Sequence, residues 1–441
     1  MRKIYIETYG CQMNFSDSEI VGSLVLGSGY ATTGILREAD VIFINTCSIR
    51  DHAEQRIRQR LREFSVIKKK KPGVIIGVLG CMAERLKDQL LEQEPSVDMI
   101  IGPDAYRDIP DLLIAVENGQ RAVNVILSLD ETYAEIRPVR LGSNGVSAFI
   151  SIMRGCGNFC AYCVVPFTRG NERSRDPGSI LREARDLFSQ GYREVTLLGQ
   201  NVNSYTWTED GQTMNFANLL ARVAGTDPRL RVRFATSHPK DLSDELIQVI
   251  ASCPNICRSI HLPVQSGSNR ILRLMNRKYT REGYMNRITA IKELIPDSSI
   301  STDIITGFCG ETEDDHRETL SLMEWASFDY AFMFKYSERP GTIAAQKLRD
   351  DIPDPVKSYR LQEVIQLQQK LSLKSNKKDI GKTFEVLTEG RSRKSEHHLS
   401  GRNSQNKVVV FPALDFNPGE YVKVKITGCT SATLIGEAIV E

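Results

Sequence analysis

The 441-residue chain has no apolar run near the ~20 residues that a membrane-spanning helix needs, which argues against a helical membrane protein. Its first residues, Met1 to Glu7, lack the charged, apolar, cleavable pattern of a secretory leader and read as a strand, so a cytoplasmic location is expected. Internal repeats and low-complexity tracts are also missing, which excludes solenoid and disordered-tract architectures. Excess charge of one sign is small. The balance of 57 Lys and Arg against 55 Asp and Glu leaves +2, too little to announce nucleic acid without local basic patches. What remains is ordinary globular composition, 41% hydrophobic and 25% charged, on a chain too long for one compact core; two or three domains are expected.

Residues 1–120 alternate short apolar runs (Ile4 to Thr8, Val41 to Ile44, Val74 to Leu79) with polar, helix-favouring stretches, the pattern of a parallel βα sheet. Ser48 and Asp51 suggest a capping box opening a helix. The polar, turn-rich stretch Leu127 to Gly145 marks a boundary. Between residues 142 and 372, six strands are expected: Phe149 to Met153, Glu194 to Leu198, Val232 to Thr236, Ser259 to Leu262, Ser299 to Ile305 and Tyr330 to Phe334. Helices such as Asp241 to Ala251 and Arg281 to Leu294 lie between them. Eight βα units normally need about 250 residues, so a partial (β/α)6 barrel fits better than a closed one. A polar strut helix, Asp354 to Leu373, precedes short alternating strands over residues 375–441, which suggest a small β-barrel. The fold class is thus α/β with a terminal β-barrel.

In a reducing compartment the ten cysteines are expected to ligate metal, to react or to be buried, not to pair as disulfides. Cys156, Cys160 and Cys163 are spaced CxxxCxxC just after the first strand of the second domain. Three such thiolates can hold three irons of a four-iron cluster and leave the fourth open. Structural zinc is the alternative, although no nearby His or Cys completes its tetrahedron. Cys11, Cys47 and Cys81 lie 36 and 34 residues apart, each directly after an expected strand. Strand ends of a parallel sheet share one edge, so the three can converge on a second cluster; three unrelated buried cysteines are the alternative. Cys253, Cys257, Cys309 and Cys429 are expected not to ligate.

The CxxxCxxC loop and six βα units resemble the radical S-adenosylmethionine superfamily. Both triads and the terminal barrel, which resembles a TRAM domain, are similar over nearly the whole chain to the methylthiotransferases. The carrying segments are TYGCQMN (Thr8 to Asn14), NTCSIRDHAEQR (Asn45 to Arg56), GCGNFCAYCVVPFTRGNERSR (Gly155 to Arg175), LLGQNVNSY (Leu197 to Tyr205) and HLPVQSGS (His261 to Ser268), with C-terminal SRKS and LSGR. They point to the branch acting on isopentenyladenosine beside the anticodon of tRNA.

The resemblance implies two [4Fe-4S] clusters, the radical-generating one on Cys156, Cys160 and Cys163 and an auxiliary one on Cys11, Cys47 and Cys81. It further implies one S-adenosylmethionine giving a methyl group and another giving the radical, with an electron donor and a sulfur donor, in a monomer. Tyr162, Gln200, Asn201, Gln265, Arg277 and Asp303, at or near expected strand ends, are candidate cofactor contacts. Arg169, Arg173 and Arg175 beside the radical loop, and Arg391, Arg393, Lys394 and Arg402 on the small barrel, are candidate RNA contacts. Internal salt bridging is the alternative for the first three. A redox or binding module that only docks RNA is the rival from another class. Cys309 stands where the family has proline in Gly-Phe-Pro-Gly-Glu, which puts the shape of that loop in question.

Overall fold

The computed structural model describes residues 1–47 and 51–439. The expected Ser48–Asp51 capping box lies outside the described residues. Val41–Thr46 and Ile75–Gly80 are buried throughout, as continuous apolar runs between two helical layers should be. They form the centre of a six-stranded parallel sheet whose order is Ala31–Thr32, Lys3–Thr8, Val41–Thr46, Ile75–Gly80, Met99–Ile101 and Ala122–Asn124. The chain winds first one way and then the other from Lys3–Thr8, which creates a crevice beyond the carboxyl ends of the central strands. Two apolar clusters, one around Phe43 and Tyr106 and one around Phe64 and Ile76, fill the two faces. Each fully buried aliphatic or aromatic side chain there contributes about 1.5–3 kcal/mol.

The segment from Leu127 to Gly145 carries no helix or strand, yet it is a packed strap. Tyr133 is buried within it, and Arg140 pairs with Glu19 of the first unit (2.7 Å) and Glu183 of the next (2.6 Å).

Six parallel strands follow in two three-stranded sheets: Ser147–Ser151, Glu194–Leu198 and Arg231–Ala235, then Ser259–His261, Ser299–Thr306 and Tyr330–Lys335. The bridge Val232 to Ile256 joins them into an open barrel. Val195, Leu197, Val232 and Phe234 pack outward in the large helix-covered core, which sends Glu194, Thr196, Arg231 and Arg233 inward. Some boundaries differ from expectation. Met153–Arg154 leaves the first strand to pair with Arg173–Ser174. The helix expected from Asp241 runs Asp244–Ser252, because Ser243 Oγ accepts from Leu246 N–H and fixes the start there. The strut helix extends to Lys377.

The last unit is a closed five-stranded barrel. Val386, Leu399, Phe411, Val424 and Leu434 fill it, on alternate positions of their strands. It docks where the larger barrel's strands begin. Arg231 donates to Arg402 O (2.7 Å), Arg233 donates to Asn403 O (2.8 Å) and Glu194 (2.8 Å), and Tyr421 Oη donates to Arg229 O (2.9 Å).

Candidate active site

Cys11 follows Lys3–Thr8, Cys47 follows Val41–Thr46 and Cys81 follows Ile75–Gly80, three neighbouring strands at the crevice. The register pairs Thr46 with Gly80, so Cys47 and Cys81 leave adjacent strands side by side. A Cβ at Gly10 would lie 2.5 Å from Cys47 Cβ, in a backbone with φ +128°; only glycine lets the Cys11 turn come this close. Buried Asn14 and Asn45 lock the turn: Asn14 Nδ2 donates to Asn45 Oδ1 (3.2 Å) and Thr46 O (3.1 Å), and Asn45 Nδ2 donates to Asn14 O (2.9 Å). A hydrogen bond with Cys47 and the nearby Arg169 charge bring the Cys11 thiol down to about 6. Burial raises that of Cys81, against the pull of Arg169. The first triad therefore converges.

Cys156, Cys160 and Cys163 occupy the loop after Met153–Arg154. Gly155 opens this loop with φ +77°, and a Cβ there would meet Asn171 O at 1.9 Å. Burial pushes the Cys163 thiol up to about 12, with Cys160 and Cys156 adding to the rise, so these three also share one locality. Each triad meets a buried guanidinium: Arg277 Nη1 lies 3.2 Å from Cys160 Sγ, and Arg169 Nε lies 3.2 Å from Cys81 Sγ.

Among the described residues, no three His, Cys, Asp or Glu side chains close on a single-ion position. A four-iron cluster instead takes each thiolate on a separate iron, and three thiols with no fourth donor match that need in both places. The donor sets therefore fit the two implied clusters.

Of the expected cofactor contacts, Tyr162 and Arg277 lie at the second triad. Tyr162 packs edge-on against Phe308 (6.4 Å), and its hydroxyl accepts from Arg277 Nη1 (3.4 Å). Arg277 also donates to Pro263 O and Tyr279 Oη (2.8 Å each), which leaves its guanidinium holding the loop. Gln265, at φ +72°, links its backbone to Asp303 O (2.8 Å). Asp303 faces His261 (3.4 Å) from the middle of its strand. Asn201 Nδ2 donates to Asp241 (2.7 Å).

Unsatisfied polar atoms cluster at the barrel's mouth, beyond its strand ends. Gln200 Oε1, Asn201 Oδ1, both amide atoms of Asn203, Ser237 Oγ and His238 Nε2 are buried without a hydrogen-bond partner among the described residues. Buried polar atoms are normally paired, so these atoms are open to hydrogen bonds from a bound group or water. Burial, with the charges of Arg277, Lys240 and Lys278, drives the His238 imidazole down to about 2, so it is neutral at physiological pH. Its Nδ1 accepts from Lys240 N–H (3.3 Å), which places the proton on Nε2. Sequence reasoning missed Ser237, His238 and Asn203. Their position directly after Arg231–Ala235 and Glu194–Leu198 was the available signal.

The arginine-rich loop requires a correction. Arg169, Arg173 and Arg175 are buried, not displayed to RNA. Arg169 pairs with Asp17 (2.7 Å), Arg173 with Asp104 (3.0 Å) and Arg175 with Glu183 (2.5 Å). Ion-paired guanidiniums removed from solvent cannot reach phosphate, so the internal alternative holds for all three. Arg391, Arg393 and Lys394 stand exposed at the hairpin joining the first two strands of the small barrel, whereas Arg402 is half-buried between Glu389 (3.2 Å) and Asn406.

Cys257 is buried near Arg233, and Cys309 packs with Phe308, Tyr336 and Met275 in an apolar cluster. The loop holding Cys309 keeps its turn through Glu311, which accepts from Gly307 N–H (2.7 Å) and Arg360 (2.9 Å). Among the described residues no helix is long and apolar enough to cross a membrane.

Comparison with known proteins matches residues 3–102 to the Uncharacterized protein family UPF0004, residues 150–323 to the Radical SAM superfamily and residues 377–439 to the TRAM domain. A tRNA-2-methylthio-N(6)-dimethylallyladenosine synthase of Phocaeicola vulgatus is 58% identical, covering 99% of this chain and 96% of its own. The synthase of the same name from Amoebophilus asiaticus is 57% identical over 99% of this chain and 92% of its own. Among solved structures, the radical S-adenosylmethionine methyltransferase TsrM from Kitasatospora setae, with cobalamin and a [4Fe-4S] cluster bound, has a TM-score of 0.56 at 13% identity. It covers 78% of this chain and 74% of its own, and shares the fold. With a parallel βα unit, an open (β/α)6 barrel and a closed small barrel in that order, and relatives this similar along its whole length, the chain belongs to the radical S-adenosylmethionine methylthiotransferases of the tRNA-2-methylthio-N(6)-dimethylallyladenosine synthase family.

Proposed function

We propose that this enzyme converts N6-dimethylallyladenosine in tRNA to its 2-methylthio derivative, using two [4Fe-4S] clusters and S-adenosylmethionine. One observation carries the reading. Arg169, six residues after Cys163, reaches Cys81 in the other unit (3.2 Å), so the segment that follows the second triad packs against the strand end that carries the first. When bound, the two clusters and S-adenosylmethionine would supply the one-electron chemistry, the sulfur and the methyl group that a carbon–hydrogen bond of adenine requires. The chain's own part is to hold and shield. Cys156, Cys160 and Cys163 would hold one cluster and Cys11, Cys47 and Cys81 the other, while Gln200, Asn201, Asn203, Ser237 and His238 offer buried donors and acceptors to the cofactor. Neutral His238 presents an Nε2–H that adds no positive charge beside Arg277. An electron donor and a sulfur donor must come from outside.

The target base must leave its stack to enter the mouth, which a single-stranded anticodon loop makes cheaper. The exposed hairpin bearing Arg391, Arg393 and Lys394 would hold backbone phosphate. Replacing Arg393 and Lys394 together with alanine is expected to weaken tRNA binding and to flatten the plot of log affinity against log salt by roughly 0.7–0.9 for each lost contact. Filter binding at graded salt reads both effects. An unchanged slope removes this hairpin from the interface.

The activity itself is tested anaerobically. Reconstituted protein with dithionite, sulfide and S-adenosylmethionine should convert prenylated tRNA, and nucleoside mass spectrometry should detect the 2-methylthio product. Release of 5′-deoxyadenosine with no methylthio nucleoside would refute the substrate assignment. Release of neither would refute the radical chemistry.

A further inference from the structure

Arg169 is committed to the first triad although it belongs to the barrel unit. It ends the short helix Val165–Arg169, which packs against the helix Cys81–Leu86. Its side chain is 3% exposed, so its charge is held away from water. Nε lies on Cys81 Sγ (3.2 Å) and Nη2 on Asp17 Oδ2 (2.7 Å), while Nη1 is buried with no hydrogen-bond partner among the described residues. An unpaired guanidinium donor in such a place costs free energy unless something accepts from it. Asp17 does not cancel the charge, because Arg154 already shares that carboxylate (2.9 Å). Arg154 also lies 3.6 Å from Asp104, which Arg173 holds at 3.0 Å, so three arginines share two carboxylates beside the thiols. Arg339, also from the barrel unit and also buried, lies near enough to Cys47 for their charges to interact.

We propose that Arg169 is a positioning residue of the Cys11–Cys47–Cys81 site, where its fixed charge favours the reduced cluster and its free Nη1–H donates to a monoanionic sulfur species, of the hydrosulfide class, bound there. The inference rests on the reading that this triad holds a cluster. Guanidinium is suited to the task because it is always charged and presents its donors in a rigid fork. Groups just outside the ligand shell commonly change metal-site behaviour 10–100-fold. No bond is made or broken by Arg169. It orients and neutralises.

The test uses full-length protein in which Cys156, Cys160 and Cys163 are alanine, so that the first triad alone is loaded. Reductive titration followed by electron paramagnetic resonance gives the reduction equilibrium, and titration with sodium sulfide gives the affinity for hydrosulfide. Arg169→Gln is expected to shift the reduction equilibrium about tenfold toward the oxidised form, about 59 mV for one electron, and to weaken hydrosulfide binding about tenfold. Arg169→Lys keeps the charge but not the fork, so the equilibrium should stay within about threefold while hydrosulfide binding weakens about fivefold. Equal potential and equal sulfide affinity in Arg169→Gln and its parent overturn the proposal. Should Arg169→Gln fail to retain iron, unchanged sulfide affinity in Arg169→Lys overturns it. A parent that binds no iron overturns both this inference and the reading beneath it, whereas a loaded parent with unaffected variants overturns this inference alone.

Discussion

Cys11→Ala is expected to abolish methylthio transfer, by more than about 10³-fold, while S-adenosylmethionine is still cleaved to 5′-deoxyadenosine. Cys11 is the exposed member of its triad, at the start of the helix Gln12–Gly27, whereas Cys47 and Cys81 are buried in the sheet edge. Loss of its sulfur therefore removes a ligand with the least disturbance to packing. The Cys156 loop has supports of its own: Cys156 N–H donates to Gly170 O (3.1 Å), and Cys160 and Tyr162 are held by Arg277. If each triad holds one four-iron cluster, as proposed, iron content should fall by about half. Cys156→Ala should also lose about half the iron, but with it both 5′-deoxyadenosine and product. The pair of variants thus separates the roles of the two triads. Chromatographic assay of 5′-deoxyadenosine beside nucleoside mass spectrometry checks both. Full methylthio transfer by Cys11→Ala would dismiss the first triad from the chemistry.

The strand-end placement of Cys11, Cys47 and Cys81 and the shared loop of Cys156, Cys160 and Cys163 were legible in the sequence because their logic is local. A cysteine directly after each of three β-rich runs needs only the rule that parallel strand ends share an edge, and CxxxCxxC needs no fold at all. The six barrel strands were legible for a similar reason, since Val195 and Leu197, or Val232 and Phe234, alternate against polar neighbours. Strands of two or three residues, Ala31–Thr32 and Ala122–Asn124, are too short to show a period and were missed. The arginine loop misled for the opposite reason. Arg169, Arg173 and Arg175 look like a basic surface patch until their anions are known, and Asp17 and Asp104 lie 152 and 69 residues away. Only the docking of one unit on the other brings Arg169 and Arg173 to these anions, whereas Arg175 meets Glu183 within its own unit, and no local pattern encodes the inter-unit contact. His238 was overlooked because a lone histidine carries no spacing signal, although it follows a strand end as the cysteines do. The small barrel was legible from its alternation, but its seat at the far end of the larger barrel depends on Arg231, Arg233 and Tyr421, residues that read as ordinary strand positions.

The same docking contact should dominate stability. Asp17 is fully buried and shared by Arg154 and Arg169, and Arg154 is itself buried, with its guanidinium 4.8 Å from the centre of the Tyr133 ring. Removing one partner of a buried ion pair strands the others in low dielectric and typically costs 3–5 kcal/mol, so Asp17→Asn is expected to destabilise by about that much. Asn preserves the shape, which assigns the loss to charge and not to a cavity. The pH dependence carries the sign. Burial pushes the Asp17 carboxyl up, but Arg154 and Arg169 together outweigh it and hold it below its ordinary value. A carboxylate depressed in the folded state stabilises fully above its unfolded pKa of about 3.9, and that contribution fades as pH falls toward the lower folded value. The difference between parent and Asp17→Asn should therefore be constant from pH 7 to about pH 5 and shrink below about pH 4. Urea unfolding midpoints at about pH 7, about pH 5 and about pH 3.5 read the gap. A gap that is absent at neutral pH, or that widens on acidification, would mean that Asp17 does not carry the contact between the two units.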